Sequence, residues 1–448
     1  LDEVGEMEEL IKYGEKFFDE LEIVVRRSRG IEVNVELNEI SMGATRIEKV
    51  TIIRGIKDKR VGIAIIDTDS KEEVKKAIEE AAKMAKLNTP DEKWSSLPSP
   101  GKYREKPKVS EDLKSVSTET LVEFVTRGIK LARESDPNVT VAGGSAGTSW
   151  AEVEIFNSQG INVSQEFGSA HIFFEFVGKK EGVVTPGIFD FDAKDNLELD
   201  VEGVVNRGLE RVKWAYNVKE AKNEETTVIF GPWAISGLLS YALFPAFSGE
   251  RLVKKTTPLA DKVGEKVASD VITIYDDTFH ELSIAKAIAD GEGVPTRKVT
   301  LIEEGIFKGF IWDNYWAKVY GTESTGHGQR DWRGGGVSIG LNSAVIENGK
   351  RELSEIIGEI KHGYLVEGLQ GAHSSNPDNG NFAVTANPAY LIEDGEVVGS
   401  TVFLIAGNVY ELLKQATEVS KDQRALPFMT TAITPYIKFE NVKIAGKK

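Results

Sequence analysis

"NFAVTANPAYLIEDGEVVGSTVFLIAG" runs from Asn381 to Gly407. β-Branched and aromatic residues dominate it and glycines punctuate it, which is the composition of strands and not of a helix. It has company on both sides. "VITIYDD", "KVTLIEEGIFKGFIWD", "GGGVSIG" and "HGYLVEGLQG" precede it and "YIKFENVKIAG" follows, with only short helices expected near 352–358 and 408–417. Residues 223–448 therefore predict a large, mostly antiparallel β-rich domain of barrel-like character.

Upstream the pattern changes. Residues 117–222 predict a central α+β unit. A helix through Leu121, Phe124, Val125, Ile129 and Leu131 leads to strands around "NVTVAG", "AEVEIFNS", "INVSQEF" and "HIFFEFVG", with "NSQG" (157–160) as a tight turn and "VEGVVNRGLERVKWAY" as a closing helix. Residues 89–116 hold Pro90, Pro98, Pro100 and Pro107 among many charges and read as a linker. Residues 1–88 predict a first α+β unit. Its opening helix runs through Leu10, Ile11, Phe17, Phe18 and Leu21, and three strands follow. A second helix is announced by the Ser70/Glu73 capping pattern and lined by Val74, Ala77, Ile78, Ala81 and Ala85. The fold class is α+β: helix/strand units followed by the β-rich domain.

Composition narrows the chemistry. The 448 residues carry 71 acidic against 55 basic side chains, a net charge of -16 that argues against a phosphate-binding surface and so against nucleic acid. No cysteine is present, which excludes disulfides, thiolate metal sites and a cysteine nucleophile. The most apolar window, near 233–247, is broken by Ser236, Ser240 and Pro245 and is too short to span a membrane. The opening "LDEVGEMEEL" lacks the basic start and apolar run of a signal peptide, so a cytoplasmic protein is expected.

Few motifs carry chemistry. "GGSAG" (143–147) fits the form of a nucleophile elbow, but the following "TSWAEVEIF" alternates like a strand where the elbow needs a helix. A glycine-rich hairpin connection is the better reading, and Ser145 is not taken as a nucleophile. "GTESTGHGQRDWRGGG" (321–336) combines flexible glycines with cations, so Ser324, Thr325, Gly326, His327, Arg330 and Arg333 are candidate peptide contacts. A charged surface loop reads equally well there. His327, His362 and His373 lack the short spacing of metal-ligand pairs. Asp276, Asp277 and Glu292 read as turn-forming acids after a strand and not as an acid/base pair.

Several ordered stretches together resemble the TldD/PmbA family, also called modulators of DNA gyrase. They are "NSQG", "DKVGEKVASDVITIYDD" (261–277), "DGEGVPTRKVTLIEEGIFKGFI" (290–311), "ESTGHGQR" (323–330), "AYLIEDGEV" (389–397) and "IAGNVYELL" (405–413). The resemblance spans essentially the whole chain. It implies a peptidase of two subunits, of which the TldD-like one carries HExxxH on a helix, with zinc on the two histidines and glutamate as base. Here that motif falls on Ser240, Tyr241 and Pro245 of "GLLSYALFPAFSGE" (237–250), which supply a hydroxyl, a phenol and no donor at all. The chain thus resembles the PmbA or TldE branch. That implies no catalytic residue, metal or cofactor of its own, zinc in the HExxxH-bearing partner, and a peptide or unfolded polypeptide as substrate. The alternative is a peptide-binding or regulatory homodimer without hydrolysis.

Overall fold

Ile31, Val33 and Val35 alternate toward one face of strand β1 (Glu20–Glu36), and this strand is the spine of the first half of the molecule. The computed structural model describes residues 3–426 and 431–446. Helix α1 (Glu3–Gly14) is shorter than its apolar pattern predicts. Phe17 and Phe18 lie in the turn after it and Leu21 is already in β1, because the N–H of Asp19 is drawn to the carbonyl of Ile56 on the neighbouring strand. These side chains still join one core with Leu10, Ile78 and Ala81, which explains why the helical spacing ran on past the helix.

β2 (Glu39–Lys57) and β3 (Arg60–Ile66) follow as antiparallel neighbours, and α2 (Lys71–Leu87) covers them. Ser70 caps α2 by accepting the N–H of Glu73. The stretch read as a linker has no regular structure until α3 (Glu111–Ser115), yet it is held to the body. Leu97 is fully buried, and the Trp94 indole donates to Glu20 at 2.8 Å.

The sheet continues across that stretch. β4 (Val139–Asn157) pairs with the free side of β1, and β5 (Asn162–Lys180) returns beside β4 through the expected turn at 158–160. With β6 (Val183–Val184) and β7 (Ile188–Lys194) this makes one seven-stranded sheet ordered β3-β2-β1-β4-β5-β6, β7 lying on β5. The first and central units are thus joined by hydrogen bonds along β1 and β4. "GGSAG" is no hairpin connection: it lies inside β4, paired on both sides. Glycine is needed there because a Cβ on Gly144 would stand 2.7 Å from the Phe173 carbonyl and 2.8 Å from the Phe174 ring. Helices α4 (Thr118–Ser135) and α5 (Val201–Ala215) cover one face of the central strands.

The C-terminal half begins at β8 (Glu224–Phe230) and α6 (Pro232–Ala242). Strands Glu224–Phe230, His362–Val366, Asn381–Glu393, Glu396–Asn408 and Ala432–Gly446 pair in that order, and the last pairs back onto β8 to close a ring. Most pairs are antiparallel; β8 with 362–366 is parallel. Val228, Phe230, Phe403 and Phe439 pack with α6 through Ile235, Leu238 and Leu239. Ile229, Leu365, Tyr390 and Ile392 face the other way, into the core that α5 shares. A helix at Asn314–Tyr320, absent from the sequence reading, is capped by Asp313 and ended by Gly321 at φ 88°.

Buried charges tie the two halves, among them a cluster around Glu22. Glu22 of β1 is fully buried and accepts from Arg54 of β2 (2.9 Å) and from Arg330 of the C-terminal half (2.6 and 2.8 Å). Arg54 also reaches Glu292 at 3.3 Å. Two guanidinium groups and two carboxylates balance in charge, which buried ions require. Replacing Glu22 by Gln leaves two buried cations facing Glu292 alone. The expected loss is about 3–5 kcal/mol, the cost of breaking a buried pair, read by urea unfolding.

Candidate functional site

Three places qualify as a site. At the end of α6, Ser240 and Tyr241 are half-buried in the last turn. The helix does not carry on through the stretch as its frame suggested. It stops at Ala242, and Pro245 sits in a 3-10 turn (Phe244–Phe247) where its missing N–H and its ring prevent continuation. The Tyr241 ring meets His373 edge-on at 6.4 Å, and Phe247 stacks on Phe307 at 6.0 Å. These residues do not fit a zinc ion, since a half-buried hydroxyl, a phenol and an imino acid lack the imidazole and carboxylate donors such a cage uses. Among the described residues no three His, Cys, Asp or Glu side chains are grouped to hold a metal.

The second place is the 321–336 loop, and most of it is bound inward. Ser324 donates to the Trp312 carbonyl (3.1 Å) and accepts from Gly326 (3.2 Å), while the Thr325 hydroxyl accepts from the N–H of Trp312 (2.7 Å). His327 is fully buried, with Nδ1 2.8 Å from the Thr325 hydroxyl and Nε2 3.3 Å from Asp276. Arg330 spends its donors on Glu22 and on the carbonyls of Gly291 and Gly335. Of the six candidate contacts only Arg333 is exposed. The histidines are not brought together: His362 faces Glu224 (3.0 Å) and His373 faces Tyr241. His171 lies 3.4 Å from both the Ser145 hydroxyl and Glu32. Both contacts fall on the same Nε2, so the ring cannot be oriented by the acid through one nitrogen and take a proton through the other.

The third place is a set of buried carboxyls beside a cavity of about 390 Å³ between β4, β5 and the loops around 284–291 and 329–332. The turn reading holds for Asp277, which accepts the N–H of Phe279. It fails for Asp276 and Glu292. Asp276 accepts from Asn342 and Ser343 far along the chain, and Glu292 accepts from Asn314 besides pairing with Arg54. Asp290, which the sequence reading passed over, receives N–H groups from Glu292, Val294 and Gly328. Burial and the neighbouring Glu292 charge outweigh those donors and push its pKa up to about 8. Asp313 is pushed up to about 7 by the same two causes. Glu22 goes the other way: Arg330 and Arg54 overcome its burial and hold it below the usual carboxylate range. A sequence signal for the buried charges existed, since Glu22 and Arg54 each interrupt an apolar strand ("LEIVV", "TIIRGI").

Comparison with known proteins defines the class. Models of the PmbA/TldA metallopeptidase domain 1, central domain and C-terminal domain match residues 21–85, 111–216 and 223–446. The chain belongs to the PmbA/TldD metallopeptidase family. Among solved structures it is similar to TldE from Thermococcus kodakarensis, at 70% identity and a TM-score of 0.97, covering 98% of this chain and 100% of that one. A putative modulator of a DNA gyrase from Thermotoga maritima shares the fold at 20% identity and a TM-score of 0.88, covering 98% and 99%. A metalloprotease PmbA homolog of Haemophilus influenzae is 23% identical over 95% of this chain and 92% of its own. No helix among the described residues is long and apolar enough to cross a membrane.

Asp290 and Asp313 make the stability fall as pH rises from the acid range to slightly above neutral. Both folded-state pKa values lie above the ordinary value of about 4, so the neutral form is favoured by folding. Their contribution is complete below that ordinary value and lost as pH rises through about 7 and about 8. The melting temperature should fall from about pH 5 to about pH 8 and this contribution should level off above that, and Asp290→Asn with Asp313→Asn should flatten that slope in differential scanning calorimetry.

Proposed function

We propose that this chain is the TldE-like subunit of a two-subunit zinc metallopeptidase acting on peptides or unfolded polypeptides in the cytoplasm. A TldD-like partner with HExxxH supplies the zinc, and this chain supplies shape, a pairing surface and part of the peptide-binding wall. The observation that carries the reading is the donor set at the end of α6. Ser240, Tyr241 and Pro245 stand where a catalytic helix needs two imidazoles and a carboxylate.

Pairing has support in β2. Residues 39–49 are all exposed, and their outer edge has no neighbouring strand among the described residues. Ile40 (41% exposed), Met42 (49%) and Ile47 (77%) stand on it. An unprotected edge bearing apolar side chains is where another chain adds.

The purified chain should carry no stoichiometric zinc and cleave no peptide, and mixing with the HExxxH-bearing subunit should produce chelator-sensitive peptidase activity. Hydrolysis by the chain alone that survives chelator would overturn the reading. Ile47→Asp should leave the circular dichroism spectrum unchanged and abolish co-elution with the partner.

A further inference from the structure

Arg26 and Arg27 are consecutive in β1 and so point to opposite faces of the sheet. Arg27 is surrounded by acid, with Asp69 at 2.9 Å, Glu152 at 3.1 Å and Glu154 at 2.7 Å. Arg26 has no carboxylate within ion-pair distance among the described residues. Its guanidinium lies 5.2 Å from the ring centre of Trp332 and lines the 390 Å³ cavity. In a chain with 71 acidic and 55 basic residues, a cation facing a concave space without a counter-charge is the exception.

The other charged groups on the cavity wall are already committed. Arg330 is held by Glu22 and two carbonyls. Among the described residues Asp290 is the one carboxyl in the lining, and burial and the Glu292 charge push it toward its neutral form. The hydroxyls of Ser149 and Ser169, directly opposite each other on β4 and β5, also face the cavity and have no hydrogen-bond partner among the described residues. Phe167 and Ile284 add apolar surface. The volume is within the range of small-ligand sites and too small for a folded partner.

One cation, two free hydroxyls and apolar walls suit a monoanion with an apolar body. A phosphate, carrying more charge, would need further donors. We propose that this cavity binds the C-terminal end of a peptide, with Arg26 taking the terminal carboxylate beside Trp332 and the apolar wall taking the last side chain. The choice of a peptide among carboxylates rests on the subunit reading above; the anion chemistry does not.

The test is isothermal titration of the full chain, without partner, against Ala-Ala-Phe as free acid, its C-terminal amide, and inorganic phosphate. The free acid should bind at micromolar to millimolar concentration, with the amide at least about tenfold weaker, the loss expected for a charge-assisted hydrogen bond. Arg26→Ala should lose as much, and Arg26→Lys, which keeps charge without the planar fork, should fall between. Equal binding of acid and amide, unchanged binding by Arg26→Ala, or no binding of the acid overturns the proposal. Binding of phosphate in preference to the acid overturns the peptide assignment. Should Arg26→Ala fail to fold, Arg26→Gln replaces it, and the acid-against-amide comparison on the unaltered chain decides by itself. Because no partner and no hydrolysis enter the assay, its failure is distinct from a failure to reconstitute activity.

Discussion

The Glu22 carboxylate, shared between Arg54 and Arg330, is a buried ionic contact that helps fix the relative placement of the two halves, as the buried Asp190 carboxylate accepting from Arg424 does elsewhere. An ion taken out of water is tolerated only when its partners are held in place, and here the partners come from a strand of the first sheet and a loop of the C-terminal half. Arg330 can reach Glu22 only while its own loop is pinned by the carbonyls of Gly291 and Gly335. Glu292, one residue past Gly291, returns the charge to Arg54. Two segments distant in sequence are thereby locked by geometry that hydrophobic contact alone would leave free to slide.

The same lock shapes the space beside it. Gln165 of β5 takes the N–H groups of Ile288 and Ala289 and donates to the carbonyl of Ala289, which holds the 284–291 loop against the sheet. The helices cover one face of the central strands, and the other face, with Arg26, Ser149, Ser169 and Phe167, is left to line the cavity. Burial near this lock also explains why Asp290 and Asp313 are driven toward the neutral form while Glu22, closer to the guanidinium groups, stays ionised. Buried carboxyls brought together by the fold are thus shifted in opposite directions, decided by which of them faces a cation.

Much of the architecture was legible. The α+β class and most strands, as well as α2, α5 and the turn at 157–160, follow from periodicity and capping residues, because those signals act over a few neighbours. α1 was overextended because Phe17, Phe18 and Leu21 keep helical spacing while a long-range bond, Asp19 to Ile56, sets the backbone. "GGSAG" was misread because its glycines answer to Phe173 and Phe174 on the next strand, an approach that local sequence does not reveal.

The sequence by itself determined most element types, the absence of cysteine and the presence of Ser, Tyr and Pro at 240, 241 and 245, since each is a property of single residues or short windows. Only the tertiary structure decided that His327 and Arg330 are turned inward, and that Arg26 rather than Arg27 faces the cavity, with no carboxylate at ion-pair distance among the described residues. Those outcomes depend on partners tens to hundreds of residues away. Their burial and charge are set by the packed whole, which no local pattern encodes.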